Sequence, residues 1–325
     1  MTIKTVCVLG GSGFVGHHLV TLLAARGLTI RVPARRREDA KDLVVLPGVE
    51  VIETDIHDPA ALQSLLTGMD AIVNLVGILH ESKPGNTDSE EARRGSFHHA
   101  HVKLPQKVVQ ACRSVGARRM LHMSALGADS ASHSAYQRSK AEGEAVVSKA
   151  ADANLSVTVF RPSVIFGPGD SFLNLFAQLL KFAPVVPLAD ATANFQPVYV
   201  ADVARAFADA LDMPETYGQT YNLCGPKVYT LSELVQLTAR KLGMKRLIVP
   251  LGRSASYLFA HLMELKPGRK IMTRDNHYAM LADNVCPLGF PSLFGKPTTL
   301  ESVIGYLSDA HPRQHYHGFR SRAGR

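Results

Sequence analysis

A serine, a tyrosine and a lysine in the middle of the chain have the types needed for acid–base chemistry. Tyr136 and Lys140 form a Y-x-x-x-K pattern, and Ser124 precedes them. On a helix this spacing places both side chains on one face, so the Lys140 ammonium would lower the phenol pKa from about 10. We expect Tyr136 to move a proton, Lys140 to tune it and hold a nucleotide ribose, and Ser124 to hydrogen-bond a substrate oxygen.

The position of this pattern matters more than its spacing. Roughly 0.4 such pairs are expected by chance in a chain of this composition, and the alternative is a surface tyrosine and lysine on an amphipathic helix. However, Ser124 comes at the end of a predicted strand, and Tyr136 begins the helix that follows. We therefore predict a catalytic Ser-Tyr-Lys site.

A glycine-rich segment near the start of the chain has the spacing of a phosphate-binding turn. It fits both G-x-G-x-x-G and G-x-x-G-x-x-G, between an apolar run and a helical pattern. Glycines permit a tight turn, and a helix N-terminus offers free N–H groups to a pyrophosphate. A plain glycine-rich turn is the alternative. The predicted cofactor-binding residues here are Gly10, Gly11, Ser12, Gly13, Phe14, Val15 and Gly16.

The ends of the second and third predicted strands carry residues expected to contact the nucleotide. NAD sites place an acid after the second strand, whereas an arginine there accommodates the 2′-phosphate of NADP. Arg35 and Arg36 follow this strand, and the first acid comes at Glu38. The sequence favours NADP(H) as the cofactor, with NAD(H) as the alternative. The arginines could instead be the solvated basic start of a helix with no contact to a nucleotide. Asp55 and Ile56 are expected near the adenine, although Asp55 also suits a turn or cap.

Short apolar runs alternate with amphipathic stretches over the first 160 residues. The strands and helices that they predict must position the candidate catalytic and nucleotide-binding residues. This alternation is typical of parallel βαβ units, whose ligand site lies outside the carboxyl ends of the strands. Strands are predicted at residues 5–9, 28–32, 49–53, 71–76, 119–123 and 157–160. Helices are predicted at residues 14–26, 60–66, 97–115, 135–153, 200–211 and 231–242. The predicted fold class is α/β, a Rossmann-type doubly wound parallel sheet with a smaller C-terminal substrate lobe.

Prolines become frequent after the sixth predicted strand, which suggests a second unit. We expect a nucleotide-binding domain over residues 1–165, to which later segments return, and a smaller substrate or partner lobe over 166–310. A basic flexible tail is expected over 311–325, and the polar segment 80–95 is placed to act as a lid. The segment near 253–264 is predicted to form an amphipathic helix. Its apolar face is interpreted first as packing against the core, and second as a surface that binds a partner or a membrane.

Charge and cysteine content exclude several classes of protein. The net charge of +8 is not interleaved with exposed aromatic residues, so we predict no nucleic-acid partner. Four scattered cysteines predict reduced thiols in the cytoplasm, and no apolar run approaches the ~18 residues of a membrane span. We predict no metal site, because His98, His99 and His101 lack further ligands nearby and are interpreted as solvated or at the core edge.

Together these motifs resemble the short-chain dehydrogenase/reductase superfamily, in its extended or atypical branch of the NAD-dependent epimerase/dehydratase kind. The resemblance runs from Val6 to about Gly243. It implies that Ser124, Tyr136 and Lys140 are the catalytic triad. It also implies nucleotide contacts in the loops after the fourth and sixth strands, from Leu75, Val76, Gly77, Arg161, Pro162 and Val164.

Residues 166–174 and 196–204 are similar to the NADPH-binding accessory subunits of respiratory complex I and their bacterial relatives. This resemblance implies a structurally held nucleotide and a respiratory-complex or membrane-surface partner, at the inner face of the cytoplasmic membrane. The intact triad makes an NADP(H)-dependent oxidoreductase our first hypothesis and a non-catalytic NADPH-binding accessory or sensing protein the second. A nucleotide-sugar epimerase or dehydratase is third, because the segment between Ser124 and Tyr136 is short for those enzymes. The sequence assigns neither the substrate nor the oligomeric state.

Overall fold

The computed structural model describes residues 3–81, 95–265 and 270–308, and its centre is one parallel β-sheet. The strands of this sheet are β1 (Thr5–Leu9), β2 (Thr29–Ala34), β3 (Val49–Glu53), β4 (Ala71–Asn74), β5 (Arg119–Met123), β6 (Ser156–Pro162) and β11 (Thr220–Leu223). Their order is β11-β6-β5-β4-β1-β2-β3, which confirms the predicted Rossmann-type fold class. The chain order reverses between β1 and β4, so a ligand crevice opens at their carboxyl ends.

Helices cover both faces of the sheet. On one face α1 (Phe14–Ala25) packs against α6 (Val200–Ala210). On the other face lie α2 (Pro59–Leu66), α3 (Leu104–Val115) and α4 (Ala135–Lys149). Although α6 and β11 come late in the chain, both belong to the layers of the central sheet.

The central strands are apolar throughout because both of their faces are buried. In β1, successive side chains alternate between the two faces of the sheet. Val6 and Val8 join the core beneath α1, while Cys7 and Leu9 join the core beneath α3. All four are fully buried, so β1 holds the segment that follows it in a fixed place.

The predicted helix over 97–115 consists of two parts. A π-helical turn over His99–Lys103 precedes α3. Pro105 lacks the N–H group that would bond the His101 carbonyl in a regular α-helix. That carbonyl faces Gly143 of α4, where a Cβ would lie 1.8 Å from the His101 oxygen. The turn and α4 therefore approach more closely than any residue larger than glycine would allow.

A smaller lobe is built from the elements after β6. Its strands pair as β7 (Ile165–Phe166) with β10 (Val198–Tyr199), β8 (Val185–Leu188) with β13 (Leu247–Pro250), and β9 (Asn194–Phe195) with β12 (Tyr229–Thr230). Its helices are α5 (Leu173–Phe182), α7 (Leu231–Lys241), α8 (Arg253–Leu265), α9 (Arg274–Ala279) and α10 (Leu300–Val303). A separate hydrophobic core, which includes Phe166, Leu180 and Leu234, holds the lobe together.

Cys224 and Cys286 form a disulfide bond, which corrects the prediction that all the cysteines are reduced thiols. Their Cα atoms are 6.1 Å apart. Gln196 joins the two segments, because its backbone carbonyl accepts from the Gly225 N–H and its side-chain oxygen accepts from the Cys286 N–H. The two cysteines are 62 residues apart in sequence, so their spacing gave no sign of the contact. The other two cysteines are free and buried: Cys7 and Cys112.

Two expectations concern residues that the structure does not describe. The basic tail, 311–325, lies wholly outside the described residues, and the predicted lid, 80–95, lies mostly outside them. Within the described ranges, no helix combines the length and apolarity needed to cross a bilayer.

Candidate nucleotide-binding and catalytic site

The residues predicted to bind a nucleotide lie along the carboxyl edge of the central sheet. Because neighbouring strands are parallel, the segments that follow β3, β2, β1, β4, β5 and β6 lie side by side in that order. In the same order they carry Asp55 and Ile56, Arg35 and Arg36, the glycine turn 10–16, Leu75 with Val76 and Gly77, Ser124, and finally Val164, while Arg161 and Pro162 are the last two residues of β6 itself. The fold thus brings the scattered candidates to one edge.

The glycine turn between β1 and α1 is shaped by contacts that exclude a side chain. Gly10 has a φ of +80°, and a Cβ at Gly16 would lie 2.2 Å from the Gly10 carbonyl oxygen. The N–H groups of Phe14, Val15 and Gly16 have no partner in the described part of the chain, since the first intrahelical donor is His17. These free donors, at the positive end of α1, fit a pyrophosphate.

The loop after β4 lies directly beside the glycine turn. A Cβ at Gly10 would lie 3.2 Å from the Val76 nitrogen. Asn74 fixes this loop, because its Oδ1 accepts a hydrogen bond from the Val76 N–H at 3.1 Å. A Cβ at Gly77 would lie 3.8 Å from the Lys140 Nζ, so the loop connects the glycine turn to the catalytic candidates.

The residues after β2 and β3 differ in the partners that their side chains have within the protein. Arg35 is exposed, and its guanidinium has no partner among the described residues. Arg36 instead pairs with Asp39 at 3.1 Å. Asp55 accepts a hydrogen bond from the His57 N–H at 2.9 Å, which is the behaviour of a turn aspartate. Of these side chains, Arg35 is the one best placed to meet an anionic ligand.

The residues predicted after β6 make protein contacts. The Arg161 Nε donates to both carboxylate oxygens of Glu144, at 3.0 and 2.8 Å, and so ties β6 to α4. The Val164 N–H donates to the Asn284 Oδ1 at 3.0 Å. Pro162 is buried. Arg161 therefore supports the helix that carries Tyr136 and Lys140, with its charge already paired.

Ser124 and the ammonium group of Lys140 lie next to each other at the carboxyl end of β5. The buried Lys140 donates a hydrogen bond from Nζ to the carbonyl of Met123, the residue before Ser124, at 2.7 Å. The Ser124 hydroxyl is buried and has no hydrogen-bond partner within the described residues. Buried hydroxyls are nearly always bonded. Ser124 therefore fits a ligand oxygen.

Tyr136 reaches the same region from the first turn of α4. Its half-buried ring lies edge-on against the rings of Phe97 and His101, with centroids 5.7 and 5.5 Å away. Burial, and then the Asp275 carboxylate, raise the pKa of Tyr136 to about 12. The expected lowering of this pKa by Lys140 is wrong in this structure, because the Lys140 ammonium is directed at a backbone carbonyl.

Burial also controls the charge of the lysine. It lowers the pKa of Lys140 to about 8, against the opposing effect of Glu144. An anion bound beside Lys140 would favour its charged form. The position beside Lys140 therefore suits an anionic group of a ligand.

His101 is a residue of the site whose role sequence reasoning missed: it was interpreted as solvated or at the core edge, but it is buried. Its Nε2 accepts a hydrogen bond from the Ile78 N–H at 3.1 Å, and its Nδ1 lies 2.9 Å from the Ser139 Oγ. Burial, and then the Lys140 charge, lower the pKa of His101 to about 3, so the ring is neutral and Nδ1 carries the proton that Ser139 accepts. His101 thus joins the loop after β4 to α4. Pro105, inside the predicted helix, was the available signal that this segment is irregular.

Two residues of the smaller lobe also reach the site. Asp275 of α9 accepts hydrogen bonds from the Ser134 Oγ at 2.9 Å and the Ala135 N–H at 2.6 Å, at the start of α4. Asn284 receives the Val164 N–H and donates to the Leu126 carbonyl at 3.4 Å. Neither Asp275 nor Asn284 belongs to a motif, and the sequence carried no signal for them.

Two curated relatives are similar over most of the chain. The NADH dehydrogenase (ubiquinone) 1 alpha subcomplex subunit 9 of Mus musculus is 30% identical over 305 residues, which cover 90% of this chain and 77% of that protein. A ceramide reductase of Caulobacter vibrioides is 31% identical over 251 residues, which cover 76% of this chain and 73% of the relative.

A solved structure shares the fold. The dTDP-glucose 4,6-dehydratase of Streptomyces venezuelae, with NAD bound, has a TM-score of 0.70 over 98% of both chains, at 22% identity. Residues 6–224 match the sequence profile described as the NAD dependent epimerase/dehydratase family. This match runs from β1 past the end of β11 and includes the glycine turn, Ser124, Tyr136 and Lys140. The chain therefore belongs to the NAD dependent epimerase/dehydratase family.

Proposed function

We propose that the protein is an NADP(H)-dependent oxidoreductase that interconverts a carbonyl compound and an alcohol. The observation that carries the proposal is the buried, unpartnered hydroxyl of Ser124 beside Lys140. A substrate oxygen is the hydrogen-bond partner that this hydroxyl lacks. The free N–H groups at the start of α1 suit the cofactor's pyrophosphate.

Each polar side chain of the site has a separate task. When bound, the nicotinamide supplies or accepts hydride. Tyr136 donates its phenolic proton to the substrate oxygen during reduction and takes it back in the reverse direction. Ser124 hydrogen-bonds the same oxygen. Lys140 holds the nicotinamide ribose.

The protonation of Tyr136 favours reduction as the forward direction. A pKa of about 12 keeps the phenol protonated near neutral pH, where it can act as an acid but not as a base. The ceramide reductase relative supports the same direction and suggests an apolar, long-chain carbonyl compound as the substrate class.

Replacement of Tyr136 tests the mechanism. NADPH oxidation is measured with a panel of long-chain ketones, and Tyr136→Phe should lower turnover at least about 100-fold because general acid catalysis is lost. NADPH binding, measured by fluorescence titration, should stay near the wild-type value. Full activity of Tyr136→Phe with a true substrate would contradict the proposal.

Arg35 is proposed to set the preference for NADP(H). Its exposed guanidinium follows β2, where a 2′-phosphate is accommodated. Arg35→Ala should weaken NADPH binding about tenfold and leave NADH binding unchanged, since a charge-assisted contact is lost. Arg37→Ala is the matched control, because it removes the same charge from the same cluster. Equal losses for NADPH and NADH would argue against this role.

A non-catalytic NADPH-binding accessory or sensing protein is the second candidate. It is favoured by the similarity to the Mus musculus subunit over 90% of this chain. This candidate would have a partner of the respiratory complex I type and a location at the inner face of the cytoplasmic membrane. The oxidoreductase would instead be a cytoplasmic enzyme that exchanges its nucleotide.

The retained nucleotide distinguishes these candidates. The protein is purified without added nucleotide and denatured, and the released dinucleotide is identified by mass spectrometry. Near-stoichiometric NADPH would support the accessory role, whereas little retained nucleotide with reversible NADPH binding would support the enzyme. Stoichiometric NAD would support the third hypothesis, a nucleotide-sugar epimerase or dehydratase, and contradict the role of Arg35.

A further inference from the structure

The small sheet formed by β8 and β13 is apolar on both faces. Its strands are parallel, with Val185 beside Leu247 and Pro187 beside Val249. These four residues alternate with inward-facing ones such as Val186, which is buried in the core of the lobe. The outward-facing residues are exposed, and Leu247 has 62% of its surface accessible. A sheet that faced only water would have polar side chains at these positions.

Phe182 extends this apolar surface at the end of α5. This residue is 89% exposed. The chain turns directly from α5 into β8, and the Leu247 N–H donates to the carbonyl of Pro184 at 3.0 Å, which places the end of α5 beside Leu247. We call this surface the β8–β13 face; it consists of Phe182, Val185, Pro187, Leu247 and Val249.

Positive charges border one end of the β8–β13 face. Lys181 precedes β8 and Lys245 precedes β13, and because the strands are parallel both lie at the same end. Arg246 lies there too, since its Nε donates to the Leu180 carbonyl at 2.7 Å. Residues 181–189 and 239–263 contain no aspartate or glutamate. These two segments therefore carry positive charges and no negative one.

We propose that the β8–β13 face binds the surface of an anionic lipid bilayer. The apolar side chains would enter the boundary between headgroups and acyl chains, and the cations would meet the lipid phosphates. A protein partner is a weaker match, because lysine is depleted in protein interfaces. The next helix, α8, also has exposed leucines at i, i+4 and i+7, namely Leu258, Leu262 and Leu265. This proposal is independent of the reaction that the protein performs.

Vesicle flotation with the purified full-length chain tests the proposal. The probes are vesicles of phosphatidylcholine alone and vesicles that also contain phosphatidylglycerol. We expect binding to the anionic vesicles, weaker binding at high salt, and little binding to the neutral ones. Leu247→Glu should reduce the vesicle partition coefficient at least about tenfold, and Lys245→Gln about fivefold, since each cation near the surface contributes about 1 kcal/mol.

Leu288→Glu is the matched control, because Leu288 is 98% exposed and lies outside the β8–β13 face. It should leave flotation unchanged, and circular dichroism should show all three variants folded. Absence of flotation with anionic vesicles, or equal flotation of Leu247→Glu and the wild type, would overturn the proposal. So would a vesicle-independent dimer, measured by light scattering, that Leu247→Glu dissociates, because a second copy of the chain would then cover the face.

Discussion

Asp275 and Tyr136 are joined across the boundary between the smaller lobe and the central sheet, where the Tyr136 backbone N–H donates to the Asp275 carboxylate at 3.3 Å. The same carboxylate accepts the Ala135 N–H and so caps the first turn of α4. A negative charge stabilises a helix N-terminus, but it opposes formation of a phenolate nearby. The lobe therefore contributes to the proton affinity of the tyrosine.

Replacing Asp275 by asparagine should lower the pKa of Tyr136 part of the way from about 12 towards its usual value. The negative charge that raises the pKa is lost, whereas burial, the larger cause, persists. The pKa is measured by NMR of tyrosine labelled with carbon-13 at Cζ, and Tyr136→Phe assigns the signal. Asp283→Asn is the control, since Asp283 binds Asn194 and makes no contact with α4. An unchanged Tyr136 pKa in Asp275→Asn would mean that burial alone raises it.

Binding of an anionic dinucleotide should be coupled to proton uptake by Lys140. Burial lowers the pKa of this lysine to about 8, so in the free protein it loses its proton as the pH rises through 8. A nearby phosphate favours the charged form and raises the pKa. Binding above pH 8 must therefore add a proton, and the affinity should fall as the pH rises further.

Calorimetry in buffers of different ionisation enthalpy measures this uptake. At a pH just above 8, the observed binding enthalpy should depend on the buffer in the wild type. Lys140→Met should remove that dependence, because no group at this position can then take up a proton. A wild-type enthalpy that is independent of the buffer would show that Lys140 does not change charge on binding.

The central sheet was predictable because its signals are local. The bounds of β1, β3 and β5 are those expected from apolar runs between turn residues. The end of β6 was not predictable in this way. It extends to Pro162 because Arg161 pairs with Asn222 of β11, a strand that follows much later in the chain. Pairing between distant segments leaves no periodic pattern in either of them.

The residues of the candidate site also fall into two groups, those that the sequence predicted and those that it did not. The glycine turn and the Tyr136–Lys140 pair combine a fixed spacing with a recognisable position between a predicted strand and a predicted helix, so the sequence pointed to both. Asp275 and Asn284 act through contacts that exist only after the lobe has folded onto the sheet. The protonation of Tyr136 could not be inferred from its spacing to Lys140, because it depends on burial and on Asp275.

Replacement of His101 by phenylalanine should weaken both the fold and nucleotide binding. Phenylalanine keeps an aromatic ring but leaves the half-buried Ile78 N–H without its acceptor. The expected cost is about 1–3 kcal/mol in the free energy of unfolding, measured with urea. His98→Phe is the control, because His98 is exposed one turn away. If both variants have the same stability, His101 does not hold the loop after β4.

Alanine at Gly13 and at Gly16 should separate the fold of the glycine turn from its binding function. At Gly16 a Cβ would lie 2.2 Å from the Gly10 carbonyl oxygen, so Gly16→Ala should lower the melting temperature even without nucleotide. At Gly13 the backbone φ is an ordinary −79°, and the nearest atom to a Cβ, the Gly10 oxygen, is 3.2 Å away. Gly13→Ala should therefore lose much less stability than Gly16→Ala.

The added methyl group at Gly13 would nevertheless stand where backbone must approach the pyrophosphate. Saturating NADPH should raise the melting temperature of the wild type, as any ligand of the native state does, and Gly13→Ala should lose most of this increase. Thermal unfolding with and without NADPH measures both effects for both variants. If Gly13→Ala keeps the full NADPH-induced increase, the pyrophosphate does not lie against this turn, and the nucleotide site must be sought elsewhere along the sheet edge.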